Sequence, residues 1–260
     1  MTIHRESRLE DEICADLAAV GWLYDVTDTG RYDRTQALLI NDTVEWLKAS
    51  QPKAWDAIGK SHGTSAPKVI AERLRKALDT QGTLAVLRFG FDLIGLKHPI
   101  AMCQFKPALA MNADLQARYA ANRLRVVRQV RYSVHHENSI DLVLFVNGIP
   151  VTTIELKSQY TQSVQDAIYQ YQTDRAPLFK PNNAPEPLLA FPGGALVHFA
   201  VSNAEAAMTT RLAGLETVFL PFNQGDGGGA GNSTKAGIAT DYTSCREFTP
   251  SSPRSAAGPV

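Results

Sequence analysis

Two short runs rich in β-branched and aliphatic residues, Asp141-Leu-Val-Leu-Phe-Val146 and Val151-Thr-Thr-Ile-Glu-Leu156, flank an Asn147-Gly148 pair. Such runs favour strands, and Asn-Gly between them signals a bend. The chain must therefore build a sheet that contains this hairpin. Side chains along a strand alternate between faces, so Glu155 and Lys157 share one face. Register decides where Asp141 falls. A two-residue loop in an unbroken ladder pairs Asp141 with Ile154 and sends Asp141 and Glu155 to opposite faces. An odd-length loop centred on Gly148, or one bulge, pairs Asp141 with Glu155 directly. Pro150 has no N–H for a ladder, which argues against an unbroken hairpin. The reading therefore predicts an odd-length loop or a bulge.

The flanking pattern supplies the other layers. Ser7 with Glu10 has a capping-box spacing, Leu9, Ile13, Leu17 and Val20 repeat at helical intervals, and Gly21 ends the run. Residues 25–34 read as loop and 34–49 as helix. A further helix runs from Ala66 to Leu78, with Pro67 in its first turn. Leu84–Phe89 and Ile100–Phe105 read as strands, Asn112–Ala121 as a short helix, and Arg123–Tyr132 as a strand. Ser163–Tyr171 reads as a helix, followed by a turn at Ala176-Pro177. Leu188–Phe191, Leu196–Val201 and Val218–Leu220 read as short strands. This order predicts an α/β (α+β) fold, a mixed β-sheet flanked by helices. It occupies residues 1–222. Residues 223–260, with a glycine run and a proline- and serine-rich end, read as a flexible tail.

Composition narrows the classes of function. Lysine plus arginine equals aspartate plus glutamate, 26 each, so no whole-molecule field draws the protein to nucleic acid. Contact with DNA must come from a local patch or a partner. Cys14, Cys103 and Cys245 are odd in number and far apart, which suits neither a zinc site nor a disulfide framework and fits a reducing, cytoplasmic setting. The N-terminus has no apolar run, and no stretch nears the roughly 20 apolar residues that span a bilayer, so no membrane partner is expected.

Asp141, Glu155 and Lys157 on adjoining strands suit magnesium-dependent phosphodiester hydrolysis. Carboxylates hold a hard cation through oxygen, and a lysine beside the attacking water helps activate it. The backbone carbonyl oxygen of Leu156 is a further candidate ligand. A solvated strand face is the competing reading. Leu142, Val143, Leu144, Ile154 and Leu156 argue for a buried sheet instead, where charges need a partner or a metal. Arg123 and Arg125, with Arg128 and Arg131, are candidate phosphate contacts or a solvated edge. His135-His136 reads as an exposed pair at a strand end.

The run from Asn138 to Lys157 resembles the nuclease motif of the R subunit of type I restriction-modification enzymes, within the PD-(D/E)xK nuclease superfamily. Ile140-Asp141 stands in place of Pro-Asp. His198-Phe-Ala-Val201, Met208–Gly214 and Phe219–Gly225 are similar to the segments that follow in that family, so the likeness covers residues 5–232. The resemblance implies a restriction-endonuclease-like core, and a first-helix carboxylate, Glu10 or Glu12, completing the Mg²⁺ site. It also implies a Gln-x-x-x-Tyr motif on the next helix. Gln165 and Tyr169 match it literally, with Gln170-Tyr171 as a competing alignment. The implied partners are double-stranded DNA and the methyltransferase and specificity subunits of a type I complex. ATP belongs only to the motor domains of such subunits, and no Gly-x-x-x-x-Gly-Lys-Ser/Thr loop occurs here. The expectation is an R-subunit endonuclease domain, truncated or frameshifted before the motor, or an isolated nuclease domain. The alternatives are a catalytically idle DNA- or subunit-binding domain and a free-standing repair-type nuclease.

Overall fold

The protein is described by a computed structural model that covers residues 3–109, 111–157 and 163–223, with the backbone of 234–235 and 238–239. Helix α1 (Ile3–Ala19) is followed by a 3-10 turn (Asp28–Arg31) and by α2 (Ile40–Ser50), α3 (Pro52–His62), α4 (Ala66–Gln81), α5 (Thr83–Phe89) and α6 (Ala113–Ala120). Strands β1 (Leu124–Arg131), β2 (Ser139–Val146) and β3 (Ile149–Lys157) come next, then α7 (Val164–Asp174). Two-residue strands β4 (Leu178–Phe179) and β5 (Ala184–Pro185) precede β6 (Val197–Ser202), β7 (Ala206–Thr209) and β8 (Leu220–Pro221). Six strands form one mixed sheet in the order β1-β2-β3-β6-β7-β8. Only β3 and β6 run parallel, and α7 is their crossover. The fold is α/β, as the order of sequence elements predicts.

Alternation along the strands builds two cores. Val126, Leu142, Leu156 and Val201 face α1 and pack on Leu9 and Cys14. Val127 and Val143 face the other way and pack with Tyr171 of α7, while Ala200 and Ala207 meet Ala167. A third core fills the layer of α2 to α5, and Ile149 at the hairpin end reaches into it.

The hairpin joins these layers. Asn147 and Gly148 take φ of 51° and 86°, the left-handed pair that a tight two-residue turn needs. Asn147 is fully buried: its side chain accepts from Arg123 N and donates to Met102 O and Asn122 Oδ1. Beyond the turn, Phe145 pairs with Pro150, but Leu144 pairs with Thr152, which leaves Val151 as a bulge. The bulge was one of the two expected outcomes. Its shifted register continues through Leu142↔Ile154, where the ladder ends; carried one position further, it would set Asp141 opposite Glu155.

Several sequence expectations are corrected. Leu84–Phe89 is helical, not a strand. Thr83, Val86 and Leu87 are buried at helical spacing, and Gly82 and Gly90, both at positive φ, bracket the helix. Ile100–Phe105 forms only one bridge, Phe91↔Ile100. Its backbone is satisfied by side chains instead: Ala101 bonds Gln51 and Trp46, and Met102 O takes Asn147 Nδ2. Leu188–Phe191 is a series of turns, although Leu188 and Leu189 are buried. The second helix begins at Ile40 rather than 34, and α3 has no counterpart in the sequence reading. Ser7 lies inside α1 rather than capping it. Gly21 does end that helix, with Gly21 N bonded to Ala18 O and Trp22 N to Leu17 O. The expected tail, 223–260, falls largely outside the described residues. Within it Thr234–Lys235 and Ile238–Ala239 pair antiparallel.

Candidate active site

Beyond Leu142↔Ile154 the β2–β3 ladder stops, while β3 continues beside β6 as far as Lys157. The gap is filled by side chains. Asp141 Oδ2 accepts from Leu156 N at 2.7 Å, in place of a backbone partner. Arg175, just past α7, inserts from the other side. Its Nε donates to Glu155 Oε1 at 2.6 Å and its Nη2 to Ser139 O at 2.8 Å. Glu155 is 0% exposed, and its Oε2 has no hydrogen-bond partner. Burial, and next the charge of Asp141, push its pKa up to about 8, against the pull of Arg175 and Lys157.

On the first helix, Glu10 and Glu12 part company. Glu10 is 4% exposed; Arg128 holds its Oε2 and Gln129 Nε2 donates to its Oε1 at 2.8 Å. The same Gln129 nitrogen donates to Asp141 Oδ1 at 3.2 Å. Glu10 and Asp141 thus share one donor, and burial first, with Asp141 contributing, raises the pKa of Glu10. Glu12 instead pairs with Arg8 on the surface. Glu10, Asp141 and Glu155 therefore form a row of neighbouring carboxylates that the structure brings together, and Glu12 stands outside it.

Lys157 ends β3, half-buried and beside Ser202 in register. Among the described residues it makes no ion pair, yet its charge lowers the pKa of Glu155 and of Asp166. Capping of α7 by Ser163, whose N–H and hydroxyl donate to Asp166, sets that helix start near Lys157.

The other expected contacts separate. Gln165 and Tyr169 are exposed on α7 one turn apart, and Gln170 is half-buried. Tyr171 is fully buried, and its hydroxyl meets Thr153 Oγ1 at 2.8 Å, so it serves the core and not a DNA contact. Arg125 is likewise corrected: it is buried, with Asp42 taking its Nε and Nη2 and Asp28 its Nη1, which leaves no side for a phosphate. Arg123 is tied to the same Asp42, though partly exposed. Of the expected exposed pair, His135 is exposed and stacks on Phe179 at 4.3 Å, whereas His136 is half-buried against Tyr132. Sequence reasoning missed Arg175 and Gln129. The only signal for Arg175 was a rule: a carboxylate buried in an apolar strand needs a cation, and the crossover helix returns past that strand.

The donor set is all oxygen, which is the chemistry of a hard cation. The partnerless Glu155 Oε2 and the mutual repulsion of the three acids fit such an ion. No group of three His, Cys, Asp or Glu side chains among the described residues is gathered tightly enough to be a ready-made metal cage.

A mixed sheet with acids at the split of its central hairpin, covered by a helix on each face, defines a domain of the α/β class. The family model for the Type I restriction enzyme R protein N terminus matches residues 5–217, so the chain belongs to that family and is an R-subunit N-terminal domain. No curated protein matches it. Among the described residues no helix is long and apolar enough to cross a membrane.

Proposed function

We propose that this domain hydrolyses DNA phosphodiester bonds in a magnesium-dependent reaction within a type I restriction complex. The observation that carries the reading is Glu155, fully buried with one oxygen unpartnered and brought beside Asp141 by the Val151 bulge. Magnesium, when bound, supplies Lewis-acid chemistry at the scissile phosphate. Asp141, Glu155 and Glu10 hold it through oxygen, with the backbone carbonyl oxygen of Leu156 as a further donor. Lys157 orients the attacking water and offsets charge that develops on the phosphate. Gln165, Tyr169 and Gln170 offer contacts to one strand of duplex DNA; such contacts position the backbone but read no sequence. Target choice falls to a specificity subunit, assembled with the methyltransferase in the cytoplasm.

The test is cleavage of duplex DNA with Mg²⁺ by the native protein, Asp141→Ala and Lys157→Ala. Each variant is expected to lose about 100-fold or more. Equal activity in all three overturns the reading. A second reading, an idle DNA- or subunit-binding domain, is favoured by the Arg175–Glu155 pair, which occupies one oxygen of the central acid. Under it, the native protein binds DNA or its partner subunits and cuts nothing, alone or in the assembled complex.

A further inference from the structure

Gln129 sits in β1 between the pairs Arg128↔Leu142 and Val130↔Ile140, at the register position facing Asp141. Its φ is 49°, left-handed for a residue other than glycine and within a strand. Such a conformation is strained and persists only where the surroundings hold it. Side-chain alternation breaks there: Arg128 points to α1, whereas Val130 and Ile140 join the core on the α7 side. The kink aims the Gln129 amide at the acids. Its Nε2 lies 2.8 Å from Glu10 Oε1 and 3.2 Å from Asp141 Oδ1, and its Oε1 accepts from Ser139 Oγ at 2.8 Å.

One nitrogen between two carboxylates marks a place that suits a cation's ligand. Oxygens about 2.1 Å from an octahedral magnesium ion stand about 3.0 Å from their neighbours. The two Gln129 distances bracket that spacing. We propose that Gln129 is a further ligand of the cation: its amide reverses, so that Oε1 joins Glu10 and Asp141 around the ion. This rests on the magnesium reading above. Reversal strands no group. Nε2 then donates to Ser139 Oγ, and a hydroxyl accepts as readily as it donates. Only the terminal side-chain torsion turns, and its profile is broad and roughly two-fold. Beside the two acids, Glu155 Oε2 is buried without a hydrogen-bond partner, on a carboxyl near enough to Asp141 for the two charges to repel, a second sign that the cluster takes a ligand.

The experiment is Mn²⁺ and Ca²⁺ binding to the full-length protein by titration calorimetry, with Mn²⁺ also followed by electron paramagnetic resonance. Gln129→Met keeps length and loses the amide oxygen; Mn²⁺ affinity is expected to fall about tenfold or more. Gln129→Glu adds a carboxylate ligand and is expected to bind Mn²⁺ more tightly than the native protein. Asp141→Asn tests the underlying reading separately. If it binds Mn²⁺ like the native protein, the magnesium reading falls. If it loses binding while Gln129→Met binds at least as well as native, only the Gln129 proposal falls, and the residue is a spacer between acids. Should Gln129→Met fail to fold by circular dichroism, the glutamate variant decides: affinity no higher than native overturns the proposal.

Discussion

Glu155 is the residue where burial and charge conflict most. One of its oxygens rests on Arg175 and the other has no partner, and the residue has no exposure. Its ordinary value of 4.5 moves up to about 8 through burial and then through Asp141. The sign follows from proton counting. Below about 4.5 both folded and unfolded states hold the proton. Between about 4.5 and 8 the unfolded state has released it while the folded state keeps it, so stability falls as pH rises through that window. Glu155→Gln should flatten this limb and be the more stable protein near its upper end. Urea unfolding across the window checks this; parallel native and variant profiles would count against it. At this scale Asp141, Glu155 and Lys157 were legible from spacing and strand composition. Arg175 and Gln129 were not, because each meets the acids only across folded distance, 20 residues along from Glu155 in one case and 12 from Asp141 in the other. The arginines of β1 misled for the same reason. Nothing local distinguishes Arg125, whose partners are aspartates on α2 and the 3-10 turn, from a phosphate contact.

The hairpin is the element that sets the site. Pro150 and the β-rich runs made a ladder defect predictable, and the Val151 bulge is that defect. Deleting Val151 should remove the bulge yet leave the pairs beyond it in place, from Leu144 with Thr152 to Leu142 with Ile154, because the extra residue is the one that has no partner. The expected result is Mn²⁺ binding close to that of the native protein, read by calorimetry, with strand content kept by circular dichroism. A folded deletion variant that loses Mn²⁺ binding would contradict this register. Gly148 bears a different constraint. At φ 86° a Cβ would lie 2.4 Å from Leu39 O, so Gly148→Ala should destabilise the fold by about 2 kcal/mol or more in denaturant titration. An Asn-Gly turn was legible; the closeness of α2 behind it was not. Leu84–Phe89 shows the converse. Its β-rich composition favours a strand, but the burial of Thr83, Val86 and Leu87 against the helical layer decides for a helix.

Across the whole molecule, the helical layer and the sheet are locked by a buried ion cluster. Arg125 on β1 pairs with Asp42 of α2 and Asp28 of the 3-10 turn, and Arg123 adds to Asp42. Removing one partner of such a cluster leaves uncompensated buried charge, so Arg125→Ala should cost about 3 kcal/mol of stability. Its Mn²⁺ affinity should stay unchanged, because its partners lie outside the row of carboxylates. A stability loss below about 1 kcal/mol in urea unfolding would deny the lock. The sequence by itself determined the α/β class, the acid-bearing hairpin and its need for a ladder defect, because strand period, Asn-Gly and Pro150 act locally. Only the tertiary structure decided which glutamate of the first helix joins the acids, which tyrosine of α7 faces out, and which arginine answers Glu155. Those choices depend on where separately folded elements meet, and buried charge selects its partner only after they have met.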